Sequence, residues 1–158
     1  MNRKTILYIL LISVIFISLV IYNYISAQKS ISETKPSPLG ITFESYPESV
    51  VAGQNGTFVW DVNSSSDLAT SKTTIYWDYN SSPSALTRED TPEAVGYSYH
   101  LEDYFKGIFK LPDNFNLSIK FNKIGKVYFR AYAKVGDNNL WSDEKTLEVV
   151  ANTKNVIQ

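Results

Sequence analysis

Apolar and polar side chains alternate with a period of two along several short runs between residues 41 and 151. In TFVWDV, Phe58, Trp60 and Val62 share one face of an extended chain, because successive side chains of a strand point to opposite faces. The same spacing recurs in ITFES, TTIYWDY, FNLSIKF and VYFRAYAKV. Turn-forming stretches such as AGQNG and GDNN separate these runs. The pattern predicts at least six strands, each with one apolar face.

Strands with one apolar face must bury those faces against one another, and the economical solution is a two-sheet antiparallel β-sandwich. We therefore predict an all-β domain over residues 41–151 with Trp60, Trp77 and Phe129 in its structural core. The opposite face of the strand that starts at Val127 should be solvent-exposed. There the side chains of Tyr128, Arg130 and Tyr132 are expected to stack with Trp141 from the next strand as a cation-π surface.

Two stretches resemble immunoglobulin-like domains, and fibronectin type III domains in particular. GTFVWDV resembles their B strand, with Trp60 in the core tryptophan position, and VYFRAYAKVGDNNLWSDEKTLEVV is similar to their F and G strands. LWSDE also resembles half of the Trp-Ser-x-Trp-Ser box of cytokine-receptor type III domains. Trp77 on the third strand is closer to the immunoglobulin side of the superfamily. The resemblance implies a single immunoglobulin-like sandwich and leaves the choice between the two strand topologies open.

The N-terminal segment predicts a transmembrane anchor over residues 1–27. Residues 5–25 carry no charge, and 21 helical residues extend roughly 31 Å, enough to cross the hydrocarbon core of a bilayer. Arg3 and Lys4 precede this segment, which places the N-terminus in the cytoplasm and the C-terminal domain outside the cell membrane. The alternative is a cleaved signal peptide ending at ISA, residues 25–27. Residues 28–40, with Pro36 and Pro38, predict a linker, and residues 152–158 a short polar tail.

Composition excludes several classes of function. The 15 basic and 16 acidic residues nearly balance, so we expect no nucleic-acid partner. The chain has no cysteine, and His100 is its only histidine, so neither a thiol nucleophile nor a copper site is expected. The pairs Glu89/Asp90 and Glu102/Asp103 are adjacent in sequence and would point to opposite faces of a strand. We therefore predict no catalytic residue, cofactor or metal, with a carbohydrate-active enzyme as a distant alternative.

Four asparagines begin Asn-x-Ser/Thr acceptor sequences for N-linked glycans: Asn55, Asn63, Asn80 and Asn116. The first three are predicted in turns, and Asn116 should point away from the core face of its strand. These positions make N-linked glycans a possible modification of an exported domain.

The long connection between residues 80 and 114 is rich in aromatic residues in its second half. Tyr97, Tyr99, Tyr104 and Phe105 form a candidate interface with a protein partner, whereas the alternative is that these rings complete the core from edge strands. Together, the patterns predict a membrane-anchored extracytoplasmic module that acts in protein interaction, in adhesion or as an accessory subunit of a surface assembly. A filament-forming structural subunit, released by leader cleavage, is the alternative.

Overall fold

The computed structural model describes residue 2, residues 17–19 and residues 38–152. The chain divides into two units, residues 1–36 and 37–158, and the fold below is that of the second unit. Residues 17–19 are helical. The rest of the predicted span over residues 5–25, most of the linker and residues 153–158 lie outside the described residues. Within the part that is described, no helix is long and apolar enough to span a bilayer.

Residues 38–152 form eleven strands and one short helix. The strands are β1 (Gly40–Ser45), β2 (Ser49–Val51), β3 (Asn55–Asn63), β4 (Ala69–Thr70), β5 (Lys72–Asp78), β6 (Tyr99–His100), β7 (Phe109–Lys110), β8 (Asp113–Lys120), β9 (Gly125–Val135), β10 (Asn138–Trp141) and β11 (Lys145–Val150). The helix α1 spans Pro92–Val95, between β5 and β6. The all-β class predicted from the alternating runs is confirmed.

The strands form two main sheets and a small two-stranded one. The first sheet has the order β1-β3-β8, and the second has the order β2-β11-β9-β5-β6, with β10 also paired to β9. Strands β4 and β7 make the small sheet. All pairs are antiparallel except β2 with β11, which run parallel. The two main sheets turn their apolar sides toward each other in a sandwich-like arrangement.

The core lies between the two main sheets and is built from the inward positions of the alternating runs. Trp60 and Phe129 are fully buried, and Trp77 lies at the margin with 9% of its surface exposed. The Phe58 and Phe129 rings, from opposite sheets, meet edge to face with centroids 5.0 Å apart. Trp60 stacks on Phe115 of the neighbouring strand at 5.8 Å. These positions agree with the core predicted from the sequence.

One buried hydrogen-bond chain joins the two sheets through the core. The indole Nε1 of Trp60, in the first sheet, donates to Thr73 Oγ1 at 2.9 Å. The Thr73 hydroxyl in turn donates to the carbonyl oxygen of Tyr132, on the central strand of the second sheet, at 2.6 Å. A buried polar atom without a partner is costly. These two hydrogen bonds therefore satisfy the buried indole N–H and fix the orientation of the Trp60 ring.

A second apolar cluster covers the outer face of the second sheet. Residues 79–98, the β5–β6 connection, fold back over β5 and β9, and their side chains pack on those strands. The buried members of the cluster are Tyr76, Val95, Tyr97 and Tyr132, with Leu86, Phe105, Tyr128 and Trp141 packed at its margin. Strand β5 is therefore buried on both faces, and only Lys72 of its seven residues is partly exposed.

The prediction that Arg130 and Tyr132 belong to a solvent-exposed stacking surface is wrong. Only 5% of Arg130 and 2% of Tyr132 are exposed, because the β5–β6 connection covers their face of β9. The rings of Tyr132 and Trp141 do contact each other, with centroids 4.6 Å apart, but they do so inside the second cluster. Tyr128 and Trp141 are half-buried at its margin.

Arg130 fastens the β5–β6 connection to the sheet through hydrogen bonds. Its guanidinium donates to the carbonyl oxygens of Ser82 at 3.0 Å, Ser84 at 3.2 Å and Ser142 at 2.9 Å. Its Nε donates to the Tyr97 hydroxyl at 3.2 Å. We call this group of Arg130, Tyr97, Glu144 and residues 81–84 the Arg130 clamp. The hydrogen bonds of this clamp replace those that the guanidinium would make to water on an open sheet face.

Glu144 completes the Arg130 clamp from the other side. Its carboxylate accepts hydrogen bonds from Ser81 Oγ at 2.6 Å, from the Ser82 amide at 2.8 Å and from the Tyr97 hydroxyl. Burial alone would raise the pKa of Glu144, but these hydrogen bonds and the charge of Arg130 outweigh it and hold the pKa below its ordinary value. Burial raises the pKa of Tyr97, so its hydroxyl stays protonated and donates to Glu144.

Candidate interaction surface at the β6 edge

Strand β6 ends the second sheet and leaves one of its edges unpaired. Tyr99 and His100 pair with Trp77 and Tyr76 of β5, and within residues 38–152 no further strand follows in the sheet order. Successive residues point to opposite faces of the sheet, so Tyr99 lies on the side of Trp77 and His100 on the side of Tyr76. An unpaired edge offers backbone donors and acceptors to another chain.

Both residues of β6 carry their rings to the surface. Tyr99 is 49% exposed and stacks on Trp77 at 5.9 Å with an interplanar angle of 20°. His100, also exposed, stacks on Phe105 at 4.8 Å with the two rings nearly parallel. The sheet therefore ends in exposed rings that are held in place by partly buried ones.

A lysine completes the outer side of this edge. The Lys72 Nζ lies 3.8 Å from the centroid of the Phe105 ring, a cation-π contact. Burial lowers the pKa of Lys72, while the carboxylates of Glu93 and Glu102 act in the opposite direction. Aromatic rings thus lie among charges of both signs. We call Lys72, Tyr99, His100 and Phe105 the β6 surface.

The inner side of the same edge is a groove of about 290 Å³. It is lined by Trp77, Tyr79 and Tyr99 and by residues 120–123, which are the last residue of β8 and the start of the β8–β9 turn. The Lys123 Nζ lies 4.5 Å from the Tyr79 ring centroid, and the Tyr79 hydroxyl donates to the Lys123 carbonyl oxygen at 3.0 Å. These two contacts fix the turn against the edge and give the groove a defined wall.

The structure divides the four residues predicted as an interface. Tyr99 and Phe105 belong to the β6 surface, whereas Tyr97 is 8% exposed and part of the Arg130 clamp. Tyr104 is half-buried: its ring packs edge to face on Phe115 at 5.3 Å, and its hydroxyl donates to the Asn116 carbonyl oxygen at 3.2 Å. For Tyr97 the interface prediction is therefore wrong, because its ring is buried in the second cluster. For Tyr104, which is partly buried at the margin of the core, it stays a prediction.

Sequence reasoning missed the roles of Lys72 and His100. The sequence signal that could have found them is the placement of Lys72 at the start of a strand and of His100 directly after Tyr99 in the aromatic segment. From the sequence alone, His100 stands out only as the single histidine of the chain. In the structure the His100 ring lies between the rings of Tyr76 and Phe105, with centroids 5.0 and 4.8 Å away.

A larger depression, of about 370 Å³, lies beside β1 and the break between β10 and β11. Its aromatic walls include Phe43 and Tyr46, whose rings pack on Phe129 with centroids 5.3 and 5.4 Å away. Those rings serve the core, so size alone does not make this depression the better candidate. Among the residues that the structure describes, no group of three or more His, Cys, Asp or Glu side chains could hold a metal ion.

Comparison with known proteins adds little. No protein-family model and no curated protein matches the sequence. Among solved structures, the chain is similar to the sulfur carrier protein SoxY from Chlorobium limicola f thiosulfatophilum, with 12% sequence identity and a TM-score of 0.43. The alignment covers 71% of this chain and 76% of that one. So distant a likeness does not bear on function.

Proposed function

We propose that this protein is a membrane-anchored, extracytoplasmic, immunoglobulin-like module that binds a protein partner through the β6 surface. It would serve as an adhesion domain or as an accessory subunit of a membrane or cell-surface assembly. The uncharged segment over residues 5–25, with Arg3 and Lys4 before it, supports the anchor and its orientation.

The distribution of strands between the sheets supports the immunoglobulin-like assignment. In those domains, strands A, B and E share one sheet and strands C, F and G share the other. If β1, β3 and β8 are taken as A, B and E, then β5, β9 and β10 with β11 take the places of C, F and G. A buried tryptophan on strand C is a hallmark of antibody domains, and here β5 carries Trp77.

The single observation that carries the proposed binding role is the exposure of Tyr99 on an unpaired sheet edge. Tyrosine is enriched among the residues that dominate binding energy at protein interfaces. On the outer side of the same edge, Lys72 and Glu102 supply charges of both signs beside Phe105. The unpaired edge of β6 adds backbone hydrogen-bonding groups that an extended segment of a partner can use.

Site-specific photo-crosslinking tests the binding role in the full-length protein in its own membrane. With p-benzoylphenylalanine in place of Tyr99, we expect a crosslinked adduct whose partner peptide is attached at position 99. The same probe in place of Ile108, which is 86% exposed but lies outside the β6 surface, is the matched control and should give no adduct. Crosslinking at position 108 without crosslinking at 99 would mean that another surface binds. A thermal melt of Tyr99→Ser within a few degrees of wild type excludes unfolding.

The absence of native cysteine allows a clean test of topology. We expect a membrane-impermeant maleimide to label the Lys106→Cys variant in intact cells, because residue 106 is exposed on the domain. The Asn2→Cys variant should be labelled only after the membrane is permeabilised. Labelling of Asn2→Cys from outside would reverse the orientation. A mature protein that begins at Gln28 would instead show that the leader is cleaved and that the domain is not anchored by it.

A further inference from the structure

Three of the four glycan acceptor sequences lie on one face of the molecule. Asn55 and Asn63 are the first and last residues of β3, where the sequence had predicted turns, and Asn116 is in the middle of β8. Buried residues alternate with them along both strands, so all three side chains point to the outer face of the first sheet. Asn55 and Asn116 are exposed, and Asn63 is half-exposed.

The strand register spaces these three asparagines evenly. Asn116 lies opposite Val59, which is four residues from Asn55 and four from Asn63 along β3. At a rise of about 3.3 Å per residue, the three positions follow one another at intervals of roughly 13 Å. Such spacing leaves room for a glycan at each position without mutual obstruction.

The hydroxyl residues of two of these acceptor sequences also meet. Thr57 lies directly opposite Ser118, and their hydroxyl oxygens are 3.1 Å apart, within hydrogen-bonding distance. In the folded sheet each hydroxyl is therefore engaged with the other.

The fourth acceptor sequence has a different environment. Asn80 follows β5, and its Nδ2 donates to Asp78 Oδ1 at 3.2 Å. The residue two positions on, Ser82, donates its amide to Glu144 and its hydroxyl to the Val95 carbonyl oxygen at 3.0 Å. This sequence is thus part of the Arg130 clamp, and a glycan there would crowd the connection that the clamp holds.

We propose that Asn55, Asn63 and Asn116 carry N-linked glycans and that Asn80 does not, so that the outer face of the first sheet is a glycan-covered face. The inference rests on the extracytoplasmic location given under the proposed function. The donor is a lipid-linked oligosaccharide phosphate. Each asparagine Nδ2 forms a bond to the anomeric carbon and loses one proton, while the bond from that carbon to the lipid phosphate breaks and the phosphate leaves as an anion.

The arrangement separates a covered face from a binding edge. Strand β8 ends the first sheet, so the glycan at Asn116 would lie at an unpaired edge and obstruct the addition of a foreign strand. The β6 surface belongs to the second sheet and carries none of the four acceptor sequences. A partner could therefore reach β6 while the opposite sheet stays shielded.

Glycopeptide mass spectrometry of the full-length protein, purified from its native membrane, tests the inference. We expect sugar-bearing peptides at positions 55, 63 and 116 and an unmodified peptide at position 80. Ser118→Ala should abolish the modification of Asn116, and the matched variant Ser118→Thr should retain it. On a gel, each of Asn55→Gln, Asn63→Gln and Asn116→Gln should increase mobility by one step, and Asn80→Gln should leave it unchanged.

An unmodified peptide at any of the three positions, or a glycan at Asn80, would overturn the assignment. The maleimide labelling of Lys106→Cys is read in parallel on the same material, because it reports location without depending on glycans. Labelling from outside combined with four unmodified asparagines overturns the glycan inference and leaves the extracytoplasmic location standing. Absence of both labelling and glycans overturns the inference together with the proposed location.

Discussion

Replacing Trp60 with alanine should lower the free energy of unfolding by about 3–5 kcal/mol, the range measured when large buried aromatic residues are truncated. Trp60 is fully buried, stacks on Phe115 and donates a hydrogen bond to Thr73 in the opposite sheet. The stability of a small domain totals about 5–15 kcal/mol, so this loss is a large fraction of the total and the variant should unfold at a much lower temperature and denaturant concentration than wild type. Denaturant and thermal unfolding followed by circular dichroism measure this loss.

The Trp60→Phe variant is the matched control. It keeps an apolar ring in the core and loses the indole N–H, while Thr73 keeps its hydrogen bond to the Tyr132 carbonyl oxygen. A loss of about 1–2 kcal/mol is expected for it, from one hydrogen bond and a small cavity. If Trp60→Ala costs less than about 1 kcal/mol, Trp60 is not at the centre of the core and the register of β3 is wrong.

Strands with one exposed face could be predicted from the sequence alone. In β3 and β8, buried and exposed residues alternate as the period of two requires, and Phe58, Trp60 and Leu117 lie inward as expected. The reason is that the outer face of the first sheet is covered by no other part of residues 38–152, so polar side chains occupy it. Alternation carries the most information where one face of a sheet meets water.

In the second sheet, the exposure of side chains could not be predicted from alternation. Strand β5 is buried on both faces, and on β9 the outward residues Arg130 and Tyr132 are as inaccessible as the inward Phe129. Their polar or amphipathic side chains suggested exposure. The expectation failed because local alternation does not report which distant segment covers a face. The covering segment is the β5–β6 connection, whose serine-rich sequence gave no sign that its backbone carbonyls would be the partners of an arginine.

The candidate site could be predicted only in part, because the exposure of each ring again depends on which distant segment it packs against. The aromatic content of residues 97–109 predicted either an interface or rings that complete the core. In the structure Tyr97 is buried, Tyr104 is half-buried and Tyr99 is exposed. Which ring does which depends on the pairing of Tyr99 and His100 with β5. A strand of two residues is too short to show a period, so its register could not be read from the sequence.

Although sequence alone places Arg130 on a solvated face, replacing it with methionine should cost about 3–5 kcal/mol, because each buried acceptor that loses its donor costs about 1–3 kcal/mol. Methionine fills much of the same space but leaves the carbonyl oxygens of Ser82, Ser84 and Ser142 without their donor and Glu144 without a nearby positive charge. Lys126→Met is the matched control. It removes one positive charge from the same strand at an exposed position, so a change within about 0.5 kcal/mol is expected.

The position of Arg130 also predicts which segment loses local stability in the Arg130→Met variant. Because three of its four hydrogen-bond partners, Ser82, Ser84 and Tyr97, lie in the β5–β6 connection, residues 81–97 should gain hydrogen exchange and protease sensitivity before β3 and β8 do. The dependence of the free energy of unfolding on pH gives a second measure of the Arg130 clamp. The folded-state pKa of Glu144 is depressed, so its contribution is present above the unfolded pKa and is lost as pH falls through the folded pKa. The stability difference between wild type and Arg130→Met should therefore narrow as the pH falls through that range. If Arg130→Met instead costs no more than Lys126→Met at neutral pH, the Arg130 clamp does not hold the connection, and the second cluster must owe its stability to apolar packing alone.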